Sequence, residues 1–138
     1  MDTRARAGSG SIASMSRYLL AARKFHQQAL AEFASANSDD TKIRQAAEKG
    51  WGVVVQATNH LLEKRKIKVP RGTQKRLERL IELEDRDSRV RKAAVADRYR
   101  VFLHTLHSEC FYDGVYSVKI VQRELRRLGE FIRQVESL

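Results

Sequence analysis

Residues 89–114 read RVRKAAVADRYRVFLHTLHSECFYDG, and the reading of this stretch decides the fold. At about 100° per residue, Val95, Tyr99, Phe102, Leu103, Leu106 and Cys110 fall on one face, the i, i+3, i+4, i+7 spacing of a buried helical stripe. The spacing predicts one continuous α-helix that ends at Gly114, a residue suited to a left-handed C-terminal cap, with Phe111 and Tyr112 folding back over the last turn. On the flank of the same wheel lie Arg89, Ala93, Ala96, Arg100, His104 and His107. Arg100 sits one turn before His104, and His107 follows within another, so one guanidinium and two imidazoles are expected to share a ledge.

Toward the N-terminus, Glu82, Glu84, Asp85 and Asp87 form an acidic cluster at the start of this helix, where the helix dipole favours carboxylates and Asp87 or Ser88 can cap it. Between residues 64 and 79 there are eight Lys or Arg against a single Glu78, the densest basic patch in the chain. Val69-Pro70-Arg71-Gly72 interrupts it as a turn, and Thr73 can cap a short helix carrying Leu77, Leu80, Ile81 and Leu83. Lys64, Arg65, Lys66, Lys68, Arg71, Lys75 and Arg76 are the candidate nucleic-acid contacts. The patch has no aromatic residue, so its expected contribution is attraction to backbone phosphate without base stacking.

Before the patch, Ile43, Ala46, Ala47, Gly50, Val54, Ala57 and Leu61 predict a second helix from about Thr41, capped by Asp39 or Asp40 and widened by Trp51, Val55 and Leu62. Gly50 and Gly52 each cost about 1 kcal/mol relative to Ala in a helix, so their place beside Trp51 points to close helix approach. A first helix is expected from Ser11 to about Ala36 on Met15, Leu19, Ala22, Phe25, Ala29 and Phe33, with His26 at its boundary. Residues 1–10 lack periodicity and read as a disordered arm. After Gly114, Val118, Val121, Leu125, Leu128, Ile132 and Val135 predict a closing helix with a regular apolar seam and a basic outer face. That seam, with the Trp-bearing second helix, leads to the expectation of a homodimer.

The whole is an all-α composition: one Pro, seven Gly and no strand signal in 138 residues, with 11–138 read as a single domain. A formal charge of +10 favours polyanionic partners, nucleic acid first among them. The lone Cys110 lies on the apolar face and reads as a core residue in a reducing compartment. No ligand spacing fits a metal site, and no cofactor is called for. No apolar run approaches the roughly 18 residues of a membrane span, so a soluble, cytoplasmic protein without membrane partner is expected.

Two segments, AAEKGWGVVVQATNHLLE (residues 46–63) and LHTLHSECFYDG (residues 103–114), together with the amphipathic closing helix, resemble the HEPN superfamily, especially its small archaeal PaREP-type members. The resemblance implies an up-and-down bundle of four to five helices, a homodimer, and an RNA- or nucleotide-directed role. Many members are metal-independent endoribonucleases with an Arg and a following His separated by four to six residues. Others are non-catalytic interaction subunits that pair with a nucleotidyltransferase or another partner, as in toxin–antitoxin systems. Two pairs meet the loose motif, Arg98 with His104 and Arg100 with His107, and only the second lies on nearly one line of the wheel. Metal-free RNA cleavage needs a base for the 2′ proton and a cation for the growing phosphate charge, which makes Arg100, His104 and His107 the candidate catalytic set.

Overall fold

The computed structural model describes residues 16–138, which form helices and no strand. The elements are α1 (Arg17–Ala34), α2 (Asp40–Lys64), α3 (Thr73–Arg86), α4 (Ser88–Lys92), α5 (Val95–Phe102), a π-helix (Leu103–Asp113) and α6 (Val118–Ser137). The expected arm at residues 1–10, and the start of the first helix at Ser11, lie outside the described residues. Within them α1 is capped by Ser16, whose hydroxyl accepts from the Leu19 amide.

Helix α2 is the central pillar and packs against α1, α6 and the π-helix. It begins as expected, with the Asp39 carboxylate accepting from the Lys42 amide, and it is buried around much of its circumference. Lys49 meets Glu32 while Gly52 faces Phe25, so α1 runs antiparallel to α2. Gly50 faces Leu125 and Leu128 while Lys64 reaches Glu136, so α6 runs parallel to it. A Cβ on Gly50 would lie 2.5 Å from Leu125 Cδ2, which accounts for the glycine: it lets α2 and α6 approach.

The apolar patterns found their places in the core. Val121, Leu125, Leu128, Phe131, Ile132 and Val135 of α6 are all buried, Phe131 in an edge-to-face contact with Phe102 at 5.4 Å. Trp51 is only 6% exposed and meets Tyr99 edge-on at 5.1 Å. The seam and the tryptophan thus spend their surface inside one chain, and the large apolar side chains left exposed lie elsewhere, Tyr112, Val115 and Ile120 among them. Val118, the first seam residue, is the exception at 51% exposure.

The stretch expected as one α-helix is divided, which raises the number of α-helical segments to six. Ala94 stands in the left-handed region (φ 54°, ψ 42°) and separates α4 from α5. Both new ends are capped by the acidic cluster. Asp87 accepts from the amides of Arg89 and Val90 to open α4, and Glu84 of α3 reaches over to accept from the Ala96 amide at 2.9 Å, capping α5 from outside. Beyond Phe102 the backbone widens to i→i+5 bonding for eleven residues. It closes at Gly114 (φ 70°), where the amides of Gly114 and Val115 both donate to the Glu109 carbonyl. The stripe survives this widening: Val95, Tyr99, Phe102, Leu106 and Cys110 are buried, and Leu103 is partly so. At the opening of α3, the N-cap is Gly72 (φ 85°) and not Thr73, and no side chain caps the helix.

Candidate functional site

The π-helix rearranges the expected ledge. Side chains five apart come together in i→i+5 winding, so His104 Nε2 lies 3.3 Å from the Glu109 carboxylate and points into solvent. Arg100, still in α-helical geometry, pairs with Asp97 at 2.9 Å. His107 turns to α2, where Nδ1 is 2.7 Å from Glu48 Oε1. Each member of the expected trio therefore has its own carboxylate, and among the described residues no hydrogen bond joins the three. Arg98, the weaker candidate, is tucked against the Phe131 ring, with Nη2 3.5 Å from Glu130.

Around His107 the surroundings are aromatic. Its ring stacks on Phe111 at 6.1 Å, lies 6.0 Å from Trp51 and meets Tyr112 edge-on at 6.0 Å. Phe111 and Gln45 are shared by two adjoining hollows of about 350 and 380 Å3, one continuing past Thr41, Arg44 and Tyr112, the other past Phe25, Glu48, Lys49 and Gly52. Together they form a groove between α1, α2 and the π-helix; Glu48 lines it, and His107 packs on the Phe111 and Tyr112 rings of its wall. Tyr112 stands at its rim, 72% exposed.

Hydrogen bonds from α2 hold the groove's far wall. The Arg44 guanidinium donates from Nε (3.1 Å) and Nη2 (2.8 Å) to the Phe111 carbonyl and from Nη2 to that of Tyr112 (3.1 Å). These are carbonyls of the last π turn, left without partners in the helix. Beyond them the Tyr116 hydroxyl donates to Asp40 at 2.5 Å, and that bond pushes the phenol up to about 12. Cys110 lies beneath, fully buried, and burial raises its thiol to about 11.

In a neutral His107 ring, a Glu48 carboxylate that accepts from Nδ1–H leaves the lone pair on Nε2, the orientation an acid–base histidine requires. Glu48, Arg44 and Gln45 were missed in the sequence. Their signal was the polar flank Thr41, Arg44, Gln45, Glu48 on α2, beside the buried stripe and one turn from Trp51.

The basic residues divide into two groups. Arg76 is not a surface contact: it is buried at 6% exposure and donates to Asn59 (2.8 Å), Tyr99 Oη (3.4 Å) and the carbonyls of Pro70 (3.3 Å) and Gly72 (3.4 Å). A buried guanidinium persists only when its donors are used, and here they brace the turn from below. Arg65 pairs with Asp87 and donates to the Leu138 carbonyl at 2.5 Å, and Lys64 donates to that of Glu136 at 3.1 Å, so both fasten the end of α6. Lys66, Lys68, Arg71 and Lys75 remain exposed.

The two other histidines serve the fold. His26 Nε2 lies 2.9 Å from the Leu125 carbonyl. His60 Nδ1 is 2.7 Å from Ser16 Oγ, and its pKa is lowered by burial and then by Lys64. Among the described residues no cluster of His, Cys, Asp and Glu is suited to a metal ion. Nor, among the described residues, is any helix long and apolar enough to cross a membrane.

Fold and groove together define an all-α protein with a carboxylate-oriented histidine at an aromatic surface cleft. Comparison of the chain with models of known families, with curated proteins and with solved structures finds no match.

Proposed function

We propose that this chain is an RNA- or nucleotide-binding module of HEPN-like type in which the groove beside His107 receives the ligand and His107 carries metal-independent phosphodiester cleavage. The observation that supports it most is the His107–Glu48 pair, 2.7 Å apart, in which Glu48 lines the groove and His107 packs on the Phe111 and Tyr112 rings of its wall. Aromatic faces accept unstacked bases, and a histidine held by a carboxylate accepts or returns a proton. In such a cleavage His107 Nε2 takes the 2′-hydroxyl proton, the 2′ oxygen bonds to phosphorus, and the bond to the 5′ oxygen breaks as that oxygen gains a proton. Arg44 and Lys49 are the cations bordering the groove.

The test is cleavage of single-stranded RNA by purified protein in excess chelator. We expect His107→Ala to lose roughly a hundredfold or more of the rate and Glu48→Gln a smaller part, with Arg100→Ala and His104→Ala near wild type. Equal loss in the Arg100, His104 and His107 variants would restore the ledge. Intact RNA with wild-type protein would remove the enzyme reading.

A second reading, a non-catalytic interaction subunit for a nucleotidyltransferase or similar partner, is favoured by a different feature. Tyr112, Val115, Val118 and Ile120 are apolar or aromatic residues between 51% and 72% exposed, all at the junction of the π-helix and α6.

A further inference from the structure

The exposed basic residues that remain after Arg76 is buried are not spread over a convex surface. Lys68, Val69, Pro70, Arg71, Lys75 and Arg79 line a concavity of about 400 Å3 at the turn between α2 and α3. Four of these six are cations, and no acidic residue lines the hollow. The carboxylates nearest in sequence stand outside it: Glu78 pairs with Lys75 at 3.5 Å and Glu82 with Arg79 at 2.9 Å, both glutamates more than half exposed. Exposed pairs of this kind contribute little and exchange readily for a better anion. Lys68 and Arg71 have no ion-pair partner among the described residues.

The hollow is also stiff. Pro70 fixes its own backbone angle, and the buried Arg76 guanidinium holds the carbonyls on either side of Arg71, those of Pro70 and Gly72, while anchored to Asn59 on α2 and Tyr99 on α5. A turn tied in this way presents its cations without first ordering them, which is what lowers the cost of binding a small multivalent anion.

We infer that this basic turn is a built phosphoryl-binding cradle, a second site separate from the His107 groove, which takes two or more adjacent phosphoryl groups of a nucleotide or RNA. The inference rests on the nucleotide-directed reading above and gives its basic loop a ligand. Lys68, Arg71, Lys75 and Arg79 contact the anion, and Arg76 is a positioning residue beneath them. Sixteen residues of α2 separate Glu48 from Lys64, about 24 Å at 1.5 Å per residue, so the two sites can be altered independently.

Inorganic tripolyphosphate separates the cradle from the groove, because it carries neither base nor ribose. Titrated into the full chain at low salt, it is expected to shift the amide resonances of residues 68–76 in a saturable way and to leave those of Gln45, Glu48 and His107 in place. Lys68→Ala with Arg71→Ala should weaken it about tenfold or more, whereas Lys119→Ala with Arg123→Ala on the exposed face of α6 should change it little. Arg76→Lys, which keeps the charge but cannot make the fork of bonds, should weaken it with all four surface cations intact. A nucleoside triphosphate that competes with tripolyphosphate identifies a free nucleotide as source; competition only by RNA with a 5′-hydroxyl identifies backbone phosphates. Equal weakening by the α6 pair, or shifts dispersed over all basic faces, would overturn the cradle and leave only net charge. Loss of cleavage in a His107 variant bears on the groove alone.

Discussion

Helix α6 and the π-helix are neighbours in sequence and opposites in how much they bury. The former buries one face from Val121 to Val135, with Ser117 capping it by accepting from the Ile120 amide and Lys64, Arg65 and Arg89 donating to its last carbonyls. The π-helix keeps only Leu106 and Cys110 buried, and its last carbonyls depend on a guanidinium from α2. Both are held at their C-terminal ends by cations from other elements, but the first rests on a continuous buried face and the second lacks one. The side chains with chemistry to offer are on the second.

The contrast sets an order of expected effects. Phe131→Ala removes a fully buried ring packed on Phe102 and should cost about 3–5 kcal/mol in chemical denaturation, while Val118→Ala, half exposed on the same helix, should stay within about 0.5 kcal/mol. Comparable losses would mean that the seam extends to Val118, as it would in a dimer.

Arg44→Met tests the other region. The three donations to Phe111 and Tyr112 are charge-assisted but partly exposed, so the global cost should be about 1–2 kcal/mol. We expect loss of amide-exchange protection confined to residues 107–115, with α6 unaffected. Uniform loss throughout the bundle would show that the π-helix is not a separable unit.

A smaller effect is expected at the α1–α2 contact. Burial, then Lys64, lowers the His60 pKa below its ordinary 6.5, and its Nδ1 shares a hydrogen bond with Ser16 Oγ. The unfolded chain therefore binds this proton at a higher pH than the folded one. The resulting stability is complete above about pH 6.5 and is lost as pH falls through the folded pKa. His60→Gln should flatten this part of the stability–pH curve; an unchanged curve would assign the dependence elsewhere.

How far the sequence could be read follows the same division. Where apolar spacing fixes a helix, as in α2 and α6, both the helix and its buried face were legible, including the close approach at Gly50. Asp39 and Gly114 were legible as caps because their roles are local. Ala94 was not: alanine favours a continuous helix, and its left-handed turn is tied to capping by Glu84, twelve residues from the amide it satisfies. The π winding was hidden for a similar reason, since the α wheel and the π turn bury the same Leu106 and Cys110 and differ mainly in where the polar flank points. So His107 was legible as a candidate, but Glu48 as its partner was not. Arg76 was lost among seven basic residues that only tertiary contacts tell apart.

The most direct measurement is long-range nitrogen–proton NMR of the His107 ring at neutral pH, in wild type and Glu48→Gln, before and after a nucleotide is added. With the groove as described, His107 should hold its proton on Nδ1 against Glu48, lose that preference in the Glu48 variant, and show a shift at Nε2 when nucleotide binds. A His107 ring with Nε2 protonated in both proteins and indifferent to nucleotide would contradict it.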